Sequence, residues 1–183
     1  MNISRTDVAF ICVTRLIWEK GIKELMESFK IIHSFNRNAK LLIVGWSDHD
    51  NPRHIPKSFI DEWNGKHNIV FLGRKENIRE LLTASDIFIY PSYYREGIPR
   101  GILEALSMGL PVITTATPGC KLTVVHGENG YLIKPGSITE LTNAMKKILQ
   151  SDMKEMSSKS RILAEEQFSD TLIFSQIEYT YYK

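Results

Sequence analysis

Six short apolar runs recur along the chain, and most are apolar on successive residues instead of on alternate ones. The runs are VAFICVT (8–14), KLLIVG (40–45), NIVFLG (68–73), DIFIY (86–90), PVITT (111–115) and GYLI (130–133). Strands of a parallel sheet are covered on both faces, and they therefore read as continuous apolar segments of this kind. The runs predict the strands of a parallel sheet.

Helical patterns lie between these runs. One stripe has the three- and four-residue spacing of a core-facing helix, and its members are Ile22, Leu25, Met26, Phe29 and Ile32. Shorter patterns predict helices around 57–63, 78–82 and 103–108, the last of which Gly109 ends. Alternating strands and helices are typical of a doubly wound α/β fold. We therefore predict a Rossmann-like sheet of about six parallel strands.

The chain changes character after residue 137, where only helical patterns remain, at 137–149 and 152–168. We predict C-terminal helices there, followed by an aromatic tail that contains Phe174, Tyr179, Tyr181 and Tyr182. Two interpretations of the tail stay open. Its aromatic side chains either pack against a second domain or cover the surface of this one.

Composition limits the number of domains and the kinds of partner. A chain of 183 residues can bury one core but is too short for two ordinary domains, so we predict a single domain over 1–183. The net charge is +2 and the Lys and Arg residues are scattered, which argues against a nucleic acid partner. No membrane span or signal peptide is recognisable, and Cys12 and Cys120 have no disulfide or metal spacing. We expect a cytoplasmic protein.

Candidate chemistry belongs at the carboxyl edge of such a sheet, where ligands bind. Arg15 and Lys20 fall in the loop between the first strand and the first helix. Two cations near a helix N-terminus suit an anion such as a diphosphate, although both could equally be solvated loop charges. Neither the G-x-G-x-x-G fingerprint nor the G-x-x-x-x-G-K-[ST] loop follows a strand, which argues against NAD and Walker-type ATP sites. Histidines 33, 49, 54, 67 and 126 lack metal-ligand spacing, so we predict no metal site.

The segment REGIPRGILEA (95–105) joins a glycine-proline loop to a helix and carries a carboxylate in each. Gly97 allows the backbone to approach a ligand, and Pro99 suits the first helical position. Glu96 and Glu104 could accept hydrogen bonds from sugar hydroxyls at two separated points, as a sugar nucleotide offers at its hexose and its ribose. The alternative is that both are solvated surface acids.

Four segments of the chain resemble the retaining glycosyltransferases of family four, which have the GT-B fold of two facing Rossmann-like domains. The segments are RLIWEKG (15–21), FLGRKENIRELLTASDIFIYPS (71–92), YREGIPRGILEALSMGLPVITT (94–115) and HGENGYLI (126–133). Glu96 and Glu104 match the family's motif of two Glu separated by seven residues, here followed by PVI. The match looks like the C-terminal, nucleotide-sugar-binding domain and covers nearly the whole chain.

The resemblance implies a role for each matching residue. Arg15 and Lys20 are expected to bind the donor diphosphate, and Glu96 the hydroxyls of the transferred sugar, which makes these three the catalytic candidates. Substrate-binding roles are implied for Gly97 and Ile98, whose backbone amides lie near the sugar and phosphates, for Glu104 at the ribose, and for Arg74 beside the base. One position departs from the family, because Leu122 stands where relatives usually carry a Glu.

The resemblance also implies the reaction. We expect transfer of a hexose or N-acetylhexosamine from a UDP-sugar, with retention, to a glycan or lipid-linked acceptor, and no cofactor besides the donor. The N-terminal acceptor domain of the family is absent from this chain, so the isolated domain is expected to be inactive or weakly active. Peripheral membrane association at the cytoplasmic face is expected for the full enzyme. Two alternatives remain, a GT-B half without transferase activity, related to an epimerase or phosphorylase, and an interaction module.

Overall fold

A single parallel sheet organises the chain. The computed structural model describes Ser4 and residues 6–48 and 50–181. The strands are β1 (Val8–Val13), β2 (Ala39–Val44), β3 (Ile69–Gly73), β4 (Ile87–Tyr90), β5 (Val112–Thr115) and β6 (Gly130–Ile133). All pairs are parallel, in the order β3-β2-β1-β4-β5-β6. Each strand lies within one residue of its predicted run, and the predicted fold class is confirmed.

Helices cover both faces of this sheet. The helices that contribute to the core on these faces are α1 (Ile22–Phe35), α2 (Lys57–Trp63), α3 (Ile78–Thr83), α4 (Arg100–Ser107), α5 (Ile138–Ile148) and α6 (Met153–Gln167), and α7 (Asp170–Tyr181) follows them. One apolar cluster packs α1 and α5 against the sheet, and a second packs α3, α4 and α6 against the opposite face. The sheet is therefore the middle layer of three, as the doubly wound prediction requires.

The predicted apolar stripe of α1 lies in the first of these clusters. All five of its members are fully buried, and the ring of Phe29 meets that of Phe10 edge to face at 5.7 Å between centroids. Every residue of β4 and β5 is buried as well. Continuous apolar runs therefore became strands with both faces covered, because helices on each side remove them from water.

The start of α4 differs from the prediction. Pro99 is the residue that precedes the helix, with ψ of 125°, and Arg100 is the first helical residue. The carbonyl of Pro99 accepts from the amides of Ile102 (3.0 Å) and Leu103 (3.3 Å). An extended residue can accept the first intrahelical bonds in this way, so placing Pro99 inside the helix was wrong. Gly109 follows the helix with φ of 74°, as its predicted stop role requires.

Helix α7 presents aromatic side chains to the surface. Phe174, Tyr179 and Tyr181 are 64%, 63% and 83% exposed. The interpretation in which they cover the surface of this domain is therefore wrong, while packing against a second domain stays a prediction. Tyr182 and His49 lie outside the described residues. Within the described part of the chain, no helix has both the length and the apolar composition that crossing a bilayer demands.

Candidate functional site

The sheet order brings two distant loops together. β1 and β4 are neighbours, although β2 and β3 lie between them in the sequence. The crossovers that leave β1 and β4 run in opposite directions, which opens a crevice beyond the carboxyl ends of these two strands. Lys20 comes from the loop after β1 and Glu96 from the loop after β4, so residues 76 positions apart meet at this crevice.

Lys20 is a buried cation with two polar partners. It ends a short 3-10 turn, Trp18–Lys20, and is 3% exposed. Its Nζ donates to the hydroxyl of Tyr90 at 2.7 Å and to Oε1 of Glu96 at 2.5 Å. The ring of Tyr94 lies 4.9 Å from the same nitrogen. The alternative in which Lys20 is a solvated loop charge is therefore wrong.

Glu96 lies in the irregular loop before α4, and its side chain is 26% exposed. Its Oε1 accepts from Lys20, from the hydroxyl of Tyr90 at 2.9 Å and, at the longer distance of 3.5 Å, from Ser92 Oγ. Burial, followed by the charge of Glu96, raises the pKa of the Tyr90 phenol well above its usual value, so the hydroxyl stays protonated. The interpretation of Glu96 as a solvated surface acid is wrong.

Tyr90 and Ser92 were not predicted as site residues from the sequence. The apolar run DIFIY ends on Tyr90 and is followed by Pro91 and Ser92, and after its first residue, Asp86, the only polar side-chain atom of this run is the Tyr90 hydroxyl oxygen. A hydroxyl at the carboxyl end of a buried central strand was the available signal, because such strand ends line the crevice.

The backbone around Gly97 is close to a second loop. A Cβ on Gly119 would lie 2.0 Å from the carbonyl oxygen of Gly97 and 2.8 Å from that of Glu96, so the loop after β5 packs directly on this backbone. Gly97 and Ile98 are themselves exposed, and a Cβ on Gly97 would meet no atom within 4 Å. Leu122 lies in the 3-10 turn that follows, Cys120–Thr123, and is exposed to solvent.

Glu104 lines a separate cleft. Its Oε1 accepts from Arg100 Nε at 2.8 Å, one turn earlier on α4. The cleft has a volume of about 550 Å³ and lies between α3, α4 and α6, with Arg79 and Arg161 among its lining residues. Glu104 therefore faces a concave surface with several guanidinium groups, and no contact joins it to Glu96 among the described residues.

The two remaining predicted cations lie at the same edge of the sheet. Arg15 is half-buried and comes directly after Thr14, whose amide bonds to the last residue of β2. Arg74 follows β3 and is exposed, with its guanidinium carbon 5.3 Å from the centre of the Trp46 ring. Among the described residues, the cleft of Glu104 does not include Arg74 in its lining. The expected position of Arg74 beside a base stays a prediction.

Within the described ranges, no three His, Cys, Asp or Glu side chains gather where they could hold a metal ion. Both cysteines are buried and unbridged, and burial raises the pKa of the Cys12 thiol to about 12. The thiol of Cys12 is therefore protonated at neutral pH.

Comparison with known proteins identifies the family. The model of the family described as "Glycosyl transferases group 1" matches residues 2–165. The chain belongs to this family. It is 31% identical over 171 residues to the capsular polysaccharide biosynthesis glycosyltransferase CapM of Staphylococcus aureus, which covers 92% of this chain and 44% of CapM.

Two further similarities cover the same region. The chain is 28% identical to the N,N'-diacetylbacillosaminyl-diphospho-undecaprenol alpha-1,3-N-acetylgalactosaminyltransferase of Campylobacter jejuni, over 83% of this chain and 38% of the relative. Among solved structures, the complex of Anabaena Alr3699/HepE with UDP-glucose matches with a TM-score of 0.80 and 25% identity, over 96% of this chain and 48% of the other. The chain thus spans less than half the length of each of these relatives.

Proposed function

We propose that this chain is the donor-binding domain of a retaining glycosyltransferase. Its donor is a UDP-sugar, from which a hexose or N-acetylhexosamine is transferred to a glycan or lipid-linked acceptor. The observation that carries the proposal is the contact between the buried Lys20 and the half-buried Glu96 at the switch point of the sheet. A nucleotide sugar has an anionic diphosphate next to a sugar rich in hydroxyls, and this pair offers one charged group for each part.

The diphosphate is the part that needs most stabilisation during transfer, because the departing UDP gains negative charge. Fixed donors and cations directed at such a charge lower the barrier. In this proposal Lys20 and Arg15 bind the phosphates. An ammonium group has three N–H donors, of which Lys20 uses two for Tyr90 and Glu96, so the third is left for a phosphate oxygen.

The sugar and the nucleoside occupy the two sides of the diphosphate. Glu96 accepts from hydroxyls of the transferred sugar, next to the exposed backbone of Gly97 and Ile98. Glu104 accepts from the ribose hydroxyls, since its carboxylate lines a cleft large enough for a nucleoside. We further propose that the transfer retains the configuration of the sugar and that a second, N-terminal domain binds the acceptor. We also propose that the enzyme acts in the cytoplasm, at the membrane face when the acceptor is lipid-linked.

Calorimetric titration of the 183-residue chain tests the proposal directly. We expect UDP, UDP-glucose or UDP-N-acetylglucosamine to bind, and we expect Glu104→Ala and Lys20→Ala each to weaken that binding about tenfold or more, as loss of a charged hydrogen-bond partner does. The matched control is Glu140→Ala. Glu140 accepts from the backbone amide of Lys134 at 2.7 Å near the start of α5, and it does not line the cleft.

The result separates this proposal from its rivals. Absence of binding by every nucleotide favours the interaction module. Binding that Glu104→Ala and Lys20→Ala leave unchanged contradicts the assigned site. Binding without transfer or donor hydrolysis, even in a protein that includes a second domain, favours a nucleotide-sugar-binding half of another GT-B class.

A further inference from the structure

The hydroxyl of Tyr90 joins the two charged groups of the proposed site. Its oxygen lies 2.7 Å from Lys20 Nζ and 2.9 Å from Glu96 Oε1. A lysine ammonium can only donate and a carboxylate can only accept. The hydroxyl must therefore accept from Lys20 and donate to Glu96, which gives this three-membered chain a single direction.

The ring that carries this hydroxyl is fixed by the sheet. Tyr90 is the last residue of β4, a central strand, and it is 5% exposed. Its ring stacks on that of Phe88, with 10° between the planes, and its carbonyl accepts from Thr114 Oγ1 at 2.7 Å on the neighbouring strand. The raised pKa of the phenol keeps the proton on the oxygen across the physiological range.

Glu96 has no comparable support of its own. It lies in an irregular loop, and its contacts to Lys20, Tyr90 and Ser92 all reach the same oxygen, Oε1. The two shorter contacts, to Lys20 and Tyr90, anchor Oε1, and anchoring one oxygen of a carboxylate sets the direction of the other. Of those two groups, only Tyr90 belongs to the central sheet.

We propose that Tyr90 is a positioning residue for the donor sugar. By holding Oε1 of Glu96, it directs Oε2 to the sugar hydroxyls, so that the hydroxyl of Tyr90 acts on the sugar through Glu96. This inference rests on the proposed function. It adds a requirement of its own, that loss of the hydroxyl weakens recognition of the sugar and leaves recognition of UDP intact.

The variant Tyr90→Phe removes the hydroxyl and keeps the ring. The quantity to measure is the ratio of the Kd of UDP to the Kd of UDP-glucose and of UDP-N-acetylglucosamine, by calorimetric titration of the 183-residue chain. We expect Tyr90→Phe to weaken sugar-nucleotide binding about tenfold, equivalent to about 1.4 kcal/mol, and to change the Kd of UDP by less than about twofold. Tyr131→Phe is the matched control, because its hydroxyl meets Ser151 Oγ at 3.0 Å, away from the crevice.

A second variant tests the route through Glu96 without disturbing the core. Glu96→Gln keeps Tyr90 intact and must lower the same ratio. Adding Tyr90→Phe to Glu96→Gln must then have little further effect, because a positioning residue has nothing left to position. An equal further loss in the double variant would show that Tyr90 acts independently of Glu96 and would overturn the inference.

The remaining outcomes are equally distinct. If the unsubstituted chain and Tyr90→Phe bind UDP-sugars with equal affinity, the proposed positioning role of Tyr90 is wrong while the proposed function stands. An equal loss of UDP and UDP-sugar in Tyr90→Phe assigns a structural role and also overturns the inference. A chain that binds neither UDP nor UDP-sugar contradicts the proposed function and the positioning role together.

Discussion

Lys20 explains at the residue scale why the crevice is preorganised. Burying an ion costs about several kcal/mol of solvation free energy unless protein groups replace the water around it. Here the carboxylate of Glu96, the hydroxyl of Tyr90 and the ring of Tyr94 surround the ammonium. The charge is thus held at the carboxyl edge of the sheet before any ligand binds, and little side-chain ordering remains to be done on binding.

Gly97 provides a prediction that separates folding from binding. A Cβ at this position would meet nothing within 4 Å, and its φ lies outside the left-handed range, so Gly97→Ala is expected to change the free energy of unfolding by less than about 0.5 kcal/mol. Donor affinity is expected to fall several-fold, because the added methyl group occupies space through which a ligand reaches the backbone amide. Urea unfolding and calorimetric titration measure the two effects separately. Unchanged donor affinity would mean that this backbone does not contact the donor.

Sequence patterns predicted these residues unequally. Glu96 and Glu104 follow from spacing within one segment, which a motif can record. The pairing of Glu96 with Lys20 cannot be predicted from such spacing, because Lys20 is 76 residues away and only the pairing of β1 with β4 brings the two together. Arg74 was identified only through the family resemblance, and its contact with Trp46 depends on how two neighbouring loops leave the sheet.

At the scale of elements, the loop after β5 packs directly on the loop after β4. A methyl group on Gly119 would stand 2.0 Å from the carbonyl oxygen of Gly97, and backbone cannot rotate away as a side chain can. We expect Gly119→Ala to separate the loops, to lower the free energy of unfolding by about 1–3 kcal/mol, and to weaken UDP-sugar binding by moving Glu96. Thermal unfolding and donor titration check the two parts.

A control of comparable instability shows whether the binding loss is local. Asp152 caps α6 through its Oδ1, which accepts from the amides of Lys154 (3.0 Å) and Glu155 (3.1 Å). Asp152→Ala is expected to cost about 1 kcal/mol of stability and to leave donor affinity unchanged. Equal affinity losses in Gly119→Ala and Asp152→Ala would indicate a general effect of instability and contradict the local explanation.

Element boundaries were predictable where burial alone decides them. The inner strands β1, β2, β4 and β5 are almost wholly buried and the edge strands β3 and β6 are partly buried, and the apolar runs locate all six within one residue. The start of α4 depends instead on the backbone angles of Pro99. The preference of proline for helix starts predicts a start near this residue, but it does not decide whether Pro99 lies inside the helix or before it. The strand order also follows from no single run, because it depends on which way each crossover turns.

At the scale of the whole molecule, the proposed function gives this chain one wall of a transfer site. Its proposed donor groups lie along the exposed carboxyl edge of the sheet, and the chain spans 44% of CapM and 48% of the HepE chain. The aromatic residues of α7 are exposed, and we predict that they pack against a second domain. In an open crevice water competes with the protein for the leaving phosphate, which weakens the stabilisation of its charge.

Turnover is therefore expected to require the second wall. The 183-residue chain, incubated with UDP-glucose or UDP-N-acetylglucosamine and a diphospholipid acceptor, should bind donor and release UDP at a rate close to the uncatalysed one. A protein that carries a second domain in front of the same chain should release UDP at least about a hundredfold faster, since positioning and water exclusion together contribute factors of this order. In that longer protein Lys20→Ala should abolish the gain, which excludes a contaminating hydrolase as its source. Equal rates with and without the second domain would mean that the crevice of this chain is already a complete site.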